Sequence, residues 1–257
     1  MRRFRAISLC LSMSLVALGG ARPSHSTPPT FREVGPGIAY ATFDVASAAG
    51  DGPALRGHAF EIELARVELR MLPAGSAPND ARFVHEIAAP FPRHVAINAS
   101  FFDEARKAMG RVVDRGETLT SSRLRAWGAL VVEGSRARVV LGSALPERKG
   151  GGDLVVQGIP RLVIEGQPPR LKPQIAARTA LCAEDARLIL VVTTAPARSD
   201  TFARFLAAPR SAGGLGCRNA LNLDGGPSTQ LDVRLPGLDL RVSGGWGVPN
   251  ALVVVPR

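Results

Sequence analysis

Between positions 58 and 71 hydrophobic and polar residues alternate: Phe60, Ile62, Leu64, Val67 and Leu69 fall mostly on one face, with Ala59, Glu61, Glu63 and Ala65 on the other. Successive side chains of a strand point to opposite faces, so this period predicts a long half-buried strand or one arm of a bulged hairpin. A strand-like stretch precedes it at 37–45. Short apolar, β-branched runs bounded by Gly or Pro follow at 95–98, 128–132, 139–141, 154–156, 162–164, 188–193, 220–223 and 251–255. Residues 81–89 predict a short helix stopped by Pro90 and Pro92. A second helix fits 200–207, with Ser199 or Asp200 as its N-cap and Pro209 ending it. Many short strands and few helices predict an α+β fold: a single β-rich domain with mixed sheets over residues 37–257. Residues 22–36, with Pro23, Pro28, Pro29 and Pro36, predict a flexible lead-in.

Composition adds the compartment. The 257 residues are 46% hydrophobic and 21% charged, a globular balance, and neither a repeat nor a hinge-like linker divides them. Arg2, Arg3 and Arg5, an apolar run over 7–18 and Gly19-Gly20-Ala21 read as a secretory signal peptide, residues 1–21. That run is shorter than the ~20 residues of a transmembrane helix. A periplasmic or secreted protein is expected; a lipoprotein would use Cys10, but the apolar run continues past it. Residues 22–257 hold 29 basic and 22 acidic residues, a net +7, and all the bases except Lys107, Lys149 and Lys172 are Arg. No basic run or aromatic-interleaved stripe accompanies the arginines, so they read as a GC-rich coding sequence and not as a nucleic-acid surface. Cys182 and Cys217 remain after removal of the signal, and in an oxidising compartment one bridge is expected, against the alternative of two buried thiols. His25, His58, His85 and His94 lack H-x-H or H-E-x-x-H spacing, so neither a metal site nor a cofactor is expected.

The densest polar cluster runs from Asn219 to Gln230, where an apolar strand ends in Asp224, followed by Gly225-Gly226, Pro227, Ser228 and Thr229. Glycines let backbone N–H groups approach a ligand, and successive N–H groups form an anion-binding nest. The bland alternative is an Asp-Gly hairpin turn with solvated hydroxyls. Ser228 is not in a G-x-S-x-G elbow, which weighs against a serine hydrolase. A second cluster is Asn98-Ala99-Ser100-Phe101-Phe102-Asp103, again a strand closing on a polar residue. Asn98 would orient a sugar hydroxyl or N-acetyl group, or merely cap a turn; Phe101 and Phe102 read first as core. Arg178, in Ala177-Arg178-Thr179-Ala180, is the side chain type suited to bidentate phosphate contact, set against a surface arginine as the simpler reading.

Together these segments resemble the phosphodiester glycosidase domain family, which includes the uncovering enzyme, acting on N-acetylglucosamine in a mannose-phosphate diester, and exported bacterial relatives. The family order is Asn-Gly-Gly-Phe-Phe, Gly-Val-Val with Asp-Gly, Gln-Gly-x-Pro-x-Leu-Val, Pro-Arg-Thr-Ala, Leu-Asp-Gly-Gly-Gly-Ser and Asn-Ala-Leu. Its counterparts here are Asn98-Ala99-Ser100-Phe101-Phe102, Gly110-Arg111-Val112-Val113-Asp114, Gln157-Gly158-Ile159-Pro160-Arg161-Leu162-Val163, Ala177-Arg178-Thr179-Ala180, Leu223-Asp224-Gly225-Gly226-Pro227-Ser228 and Asn250-Ala251-Leu252. The resemblance runs from about residue 38 to the C-terminus. Ala99 and Ser100 replace glycines where backbone would approach a ligand, and Pro227 replaces a glycine and removes an N–H.

The resemblance implies hydrolysis at a sugar C1–phosphate bond, with Asp224 as the carboxylate nearest the chemistry and Asn98 positioning the sugar. Arg178 and the nest of Gly225, Gly226, Ser228 and Thr229 would hold the phosphate. Either Asp103 or Asp114 would be a second carboxylate. The rivals are a non-catalytic sugar-phosphate-binding protein of exopolysaccharide or cell-wall assembly, and a hydrolase that attacks phosphorus.

Overall fold

The computed structural model describes residues 28–46, 52–145 and 152–257. The signal segment, with Cys10, and residues 22–27 of the expected lead-in lie outside them. Two antiparallel sheets face one another across the main core. The larger has twelve strands, its path running Arg32–Gly35, Ile38–Val45, Leu55–Glu63, Arg187–Thr193, Thr179–Asp185, Arg136–Leu141, Gly128–Glu133, Leu154–Gly158, Val112–Asp114 and Glu117–Thr120. Ala220–Asn222 joins beside Thr179–Asp185 and carries Arg161–Val163 on its other side. The smaller sheet has five strands in the order Leu238–Val242, Leu231–Leu235, His94–Asn98, Asn250–Pro256 and Val67–Pro73. Phe60, Leu181 and Leu188 of the larger sheet meet Ile97, Val233 and Leu252 of the smaller in one buried cluster.

Helices cover the outer faces. α1 (Val84–Ile87) lays Val84 and Ile87 against Ala96, Ala251 and Val253 of the small sheet. α2 (Ser199–Ala207) buries Phe202, Ala203, Phe205 and Leu206 against Ala180, Ile189 and Val191 of the large sheet. The molecule is therefore mostly β, with little helix. Every strand pairing among the described residues is antiparallel, which corrects the expected mixed sheets. A parallel pair needs a crossover of a dozen or more residues, usually a helix, and the helices here are four and nine residues long.

Three other expectations change. The alternating stretch 58–71 is two strands in different sheets: a 3-10 turn at Leu64–Arg66 carries the chain from Leu55–Glu63 to Val67–Pro73. Leu64 and Val67 are both buried in the shared core, so the hydrophobic pattern continues through the crossing. The lead-in gives way at Arg32, where the first strand pairs with Ile38–Val45 across a Pro36-Gly37 turn with Gly37 at φ +70°. The N-cap of α2 is Arg198, not Ser199 or Asp200. The Ser199 hydroxyl donates to the Lys172 carbonyl at 2.9 Å and accepts the Gln174 N–H at 3.2 Å, and the Asp200 carboxylate pairs with Arg198 at 2.8 Å.

Candidate active site

Asp224 lies two residues beyond the strand Ala220–Asn222 of the large sheet and enters a tight turn. The N–H of Leu223 donates to the Thr179 carbonyl at 2.9 Å, that of Asp224 to Ala99 at 3.1 Å, and that of Gly226 to Ala177 at 2.8 Å. Asp224 is thus stitched both to the end of His94–Asn98 in the small sheet and to the start of Thr179–Asp185 in the large one. Glycine is required at 225, where a Cβ would stand 2.7 Å from the Ala177 carbonyl oxygen. Gly226 takes φ +60°, the left-handed region that suits glycine.

The turn is not an open anion nest. The Gly225 N–H donates to Asp224 Oδ1 at 2.9 Å, and the Ser228 hydroxyl stands near the same carboxylate and favours its ionised form. The N–H groups of Ser228 and Thr229 close onto the Gly225 and Gly226 carbonyls at 3.2 and 3.1 Å, and Pro227 has none. Of the expected phosphate cradle, the backbone N–H groups of Gly225, Gly226, Ser228 and Thr229 are taken up by Asp224, Ala177 and the turn, and the Thr229 hydroxyl is left without a partner among the described residues. Burial pushes the Asp224 carboxyl above its ordinary range, opposed by the Ser228 hydroxyl and the Gly225 N–H.

Asn98 takes the turn-capping place that its sequence allowed as the alternative to orienting a sugar. It is fully buried, and its Oδ1 accepts the Thr179 hydroxyl at 2.7 Å and the Gln230 N–H at 3.0 Å. Its Nδ2 donates to the Asp224 carbonyl at 2.7 Å. Thr179 and Gln230 were not singled out by the sequence; their signal is that each borders a residue that was. Ala99 is buried in the core, and Ser100 exchanges bonds with Asn250, its N–H to Oδ1 at 3.0 Å and its Oγ from Nδ2 at 3.0 Å. The two residues that replace glycines thus put their side chains into the fold.

Arg178 comes close to the Asp224 turn by its backbone, with its Cα 3.9 Å from where a Cβ on Gly225 would stand. Its buried guanidinium turns to carbonyls, with Nε to Ala197 at 3.3 Å and Nη2 to Gln174 at 2.5 Å. Burial alone lowers its pKa, and Asp224 is not among the groups that shift it. Arg178 lies one residue before Thr179, whose side chain meets Asn98, so alternation along the chain turns the Arg178 side chain the other way.

Neither proposed second carboxylate belongs to the turn. Asp103 is exposed and accepts the Lys107 N–H at 2.9 Å, closing its own loop. Asp114 is buried, paired through both oxygens with Arg70 and accepting the Met71 N–H at 2.7 Å. Two buried side-chain oxygens of the same segment have no hydrogen-bond partner among the described residues, the Asn222 Oδ1 acceptor and the Thr229 hydroxyl. Asn222, two residues before Asp224 in an extended segment, shares its side of the chain, a spacing that marks it in the sequence. Among the described residues no group of three or more His, Cys, Asp or Glu side chains gathers as a metal site. A cleft of about 640 Å³ opens beyond Asn250, lined by Pro73, Ser76, Lys107, Leu119 and Ser122; Asp224 does not line it. Cys182 and Cys217 are joined, as expected.

The chain matches the phosphodiester glycosidase family over residues 92–255. It is similar to the catalytic domain of zebrafish N-acetylglucosamine-1-phosphodiester alpha-N-acetylglucosaminidase, auto-inhibited by its pro-peptide, with TM-score 0.68 and 18% identity over 91% of this chain and 88% of that one. A hypothetical protein from Synechocystis matches with TM-score 0.59 and 19% identity over 85% of this chain and 62% of that one. A putative exported protein from Burkholderia pseudomallei matches with TM-score 0.60 and 12% identity over 97% of this chain and all (100%) of that one. At these identities the structural likeness is one of fold. Comparison with curated protein sequences gives no match.

Proposed function

This chain belongs to the phosphodiester glycosidase family, and from that membership we propose that it is an exported hydrolase cleaving the bond between a sugar C1 and phosphate in a glycosyl phosphodiester. The observation that carries the proposal is Asp224, a half-buried carboxylate whose pKa burial raises, held where the two sheets meet. Departure from C1 passes through an oxocarbenium-like transition state that an adjacent carboxylate stabilises or attacks. A phosphodiester leaves as a weak base, so it needs less help from a general acid than a sugar alkoxide does. Arg178 has no carboxylate partner among the described residues, and it would serve the phosphate by turning its guanidinium from the Gln174 and Ala197 carbonyls toward the Asp224 turn. Export rests on the signal-like segment and the Cys182–Cys217 bridge, which suits an oxidising compartment.

The second reading is binding of a sugar phosphate without turnover. It is favoured by one observation: the Asp224 carboxylate is engaged by its own turn, with neither Asp103 nor Asp114 beside it. Hydrolysis of sugar 1-phosphodiesters in ¹⁸O-water separates the readings. Label in the sugar is the expected outcome, label in the phosphate assigns P–O cleavage, and binding without product assigns the non-catalytic role. Asp224→Asn is expected to lower kcat by about 10²–10⁴-fold, the scale of a positioned catalytic carboxylate, while still folding and unfolding cooperatively.

A further inference from the structure

The turn that holds Asp224 has a neighbour that its chemistry has not used. Residues 243–248 cross over Pro227, whose carbonyl accepts the N–H groups of Gly245 at 2.7 Å and Trp246 at 3.3 Å. The Trp246 carbonyl accepts Gln230 Nε2 at 2.8 Å, and Gln230 is the residue whose N–H bonds Asn98. Gly244 makes the approach possible, since a Cβ there would lie 2.6 Å from the Pro227 oxygen. Trp246 is therefore fixed to the same hydrogen-bonded frame as Asp224, and it remains 50% exposed.

An indole half in water is unusual, because tryptophan is highly buried on average. Its position is also braced. The Arg106 guanidinium lies over the Trp246 ring, 5.7 Å from its centroid, and over the Phe102 ring at 5.2 Å. Arg106 Nη1 donates to the Gly247 carbonyl at 3.2 Å, and Arg106 itself adopts φ +66°, a conformation that non-glycine side chains seldom take. Phe102 belongs to the segment that leaves Asn98. Loops on two sides of the Asp224 turn thus hold one aromatic ring out into solvent.

We propose that Trp246 is the stacking platform for a pyranose ring of the substrate, an inference that rests on the glycosyl phosphodiester reading of Asp224. A pyranose has an apolar face of C–H bonds, and the electron-rich face of an indole is complementary to it. The indole supplies contact area at little entropic cost because the Arg106 stack already restricts it. Phosphate contributes nothing to this contact, so the platform selects for the sugar.

The test titrates the full chain with glucose 1-phosphate, N-acetylglucosamine 1-phosphate and inorganic phosphate, read by tryptophan emission and by calorimetry. Trp127 and Trp246 are its two tryptophans. A sugar phosphate is expected to shift emission in the wild type and in Trp127→Phe, and inorganic phosphate to leave it unchanged. Trp246→Ala is expected to weaken calorimetric binding by about tenfold, with Trp246→Phe between it and the wild type. Unchanged affinity in Trp246→Ala overturns the proposal, as does the absence of sugar-phosphate binding in the wild type. Binding through Trp246 without hydrolysis of any diester upholds the platform and removes only the catalytic reading.

Discussion

Asn98 shows how much of the site depends on single residues. Its three side-chain hydrogen bonds join Thr179, Gln230 and the Asp224 carbonyl, one from each segment that shapes the turn. Its place at a strand end was legible in the sequence, but which way its amide faced was not, because that depends on residues 81 and 132 positions away. Asp224 was legible for the same reason. Its surroundings set two effects against each other: burial disfavours the charge, and the Gly225 N–H and Ser228 hydroxyl favour it, with burial winning. A carboxyl whose folded pKa is raised binds its proton more tightly in the folded state, so stability falls as pH rises from its unfolded pKa through its folded one. Asp224→Asn, which never ionises, is expected to melt higher than the wild type at neutral pH. The gap should close as pH drops below the unfolded aspartate value of ~3.9. Melting curves from pH 3 to 8 read this directly; a variant melting lower at neutral pH and converging on the wild type at pH 3 would show that ionised Asp224 stabilises the turn.

Elements were legible where alternation and punctuation agreed, as in Ile38–Val45 and α2. The hairpin of Leu231–Leu235 and Leu238–Val242 was passed over although its Leu-Asp-Val-Arg-Leu and Leu-Asp-Leu-Arg-Val segments alternate around Pro236-Gly237, with Gly237 at φ +77°. The stretch 58–71 failed for a reason of its own. A sheet crossing that keeps every apolar residue in the same core leaves no break in the pattern. The disulfide connects Cys182, paired opposite Ala220, to Cys217 just before that strand, so it closes the pairing that delivers Asp224. In the chain-entropy account a loop of this length contributes roughly 3–4 kcal/mol. Cys182→Ser/Cys217→Ser is expected to lose about that much in urea unfolding while keeping ligand affinity under native conditions. Loss of affinity without loss of stability would mean that the bridge shapes the turn itself.

At the scale of the whole molecule, the site exists because two sheets are held at a fixed distance, with Asn98 on one and Thr179 and Asp224 on or beside the other. Apolar contact supplies most of that attachment, but it is non-directional, and a sliding sheet would separate these groups. Asp114 and Arg70 provide a directional tie. Arg70 belongs to Val67–Pro73 of the small sheet and Asp114 to Val112–Asp114 of the large one, and the guanidinium meets both carboxylate oxygens at 2.8–3.2 Å. Asp114 also accepts the Met71 N–H at 2.7 Å, so its removal strands a buried donor as well as a cation. The two side chains are 10% and 18% exposed, close to the buried limit where breaking a pair is costly. Asp114→Ala is therefore expected to destabilise the protein by about 3 kcal/mol in urea unfolding. Arg70→Leu/Asp114→Leu is expected to recover most of that loss, since a well-packed apolar pair avoids the stranded charge. Both variants should keep the wild-type KM for any diester the protein hydrolyses, measured well below their melting temperatures. A raised KM in Asp114→Ala with unchanged stability would return Asp114 to the substrate and leave the sheets held by packing alone.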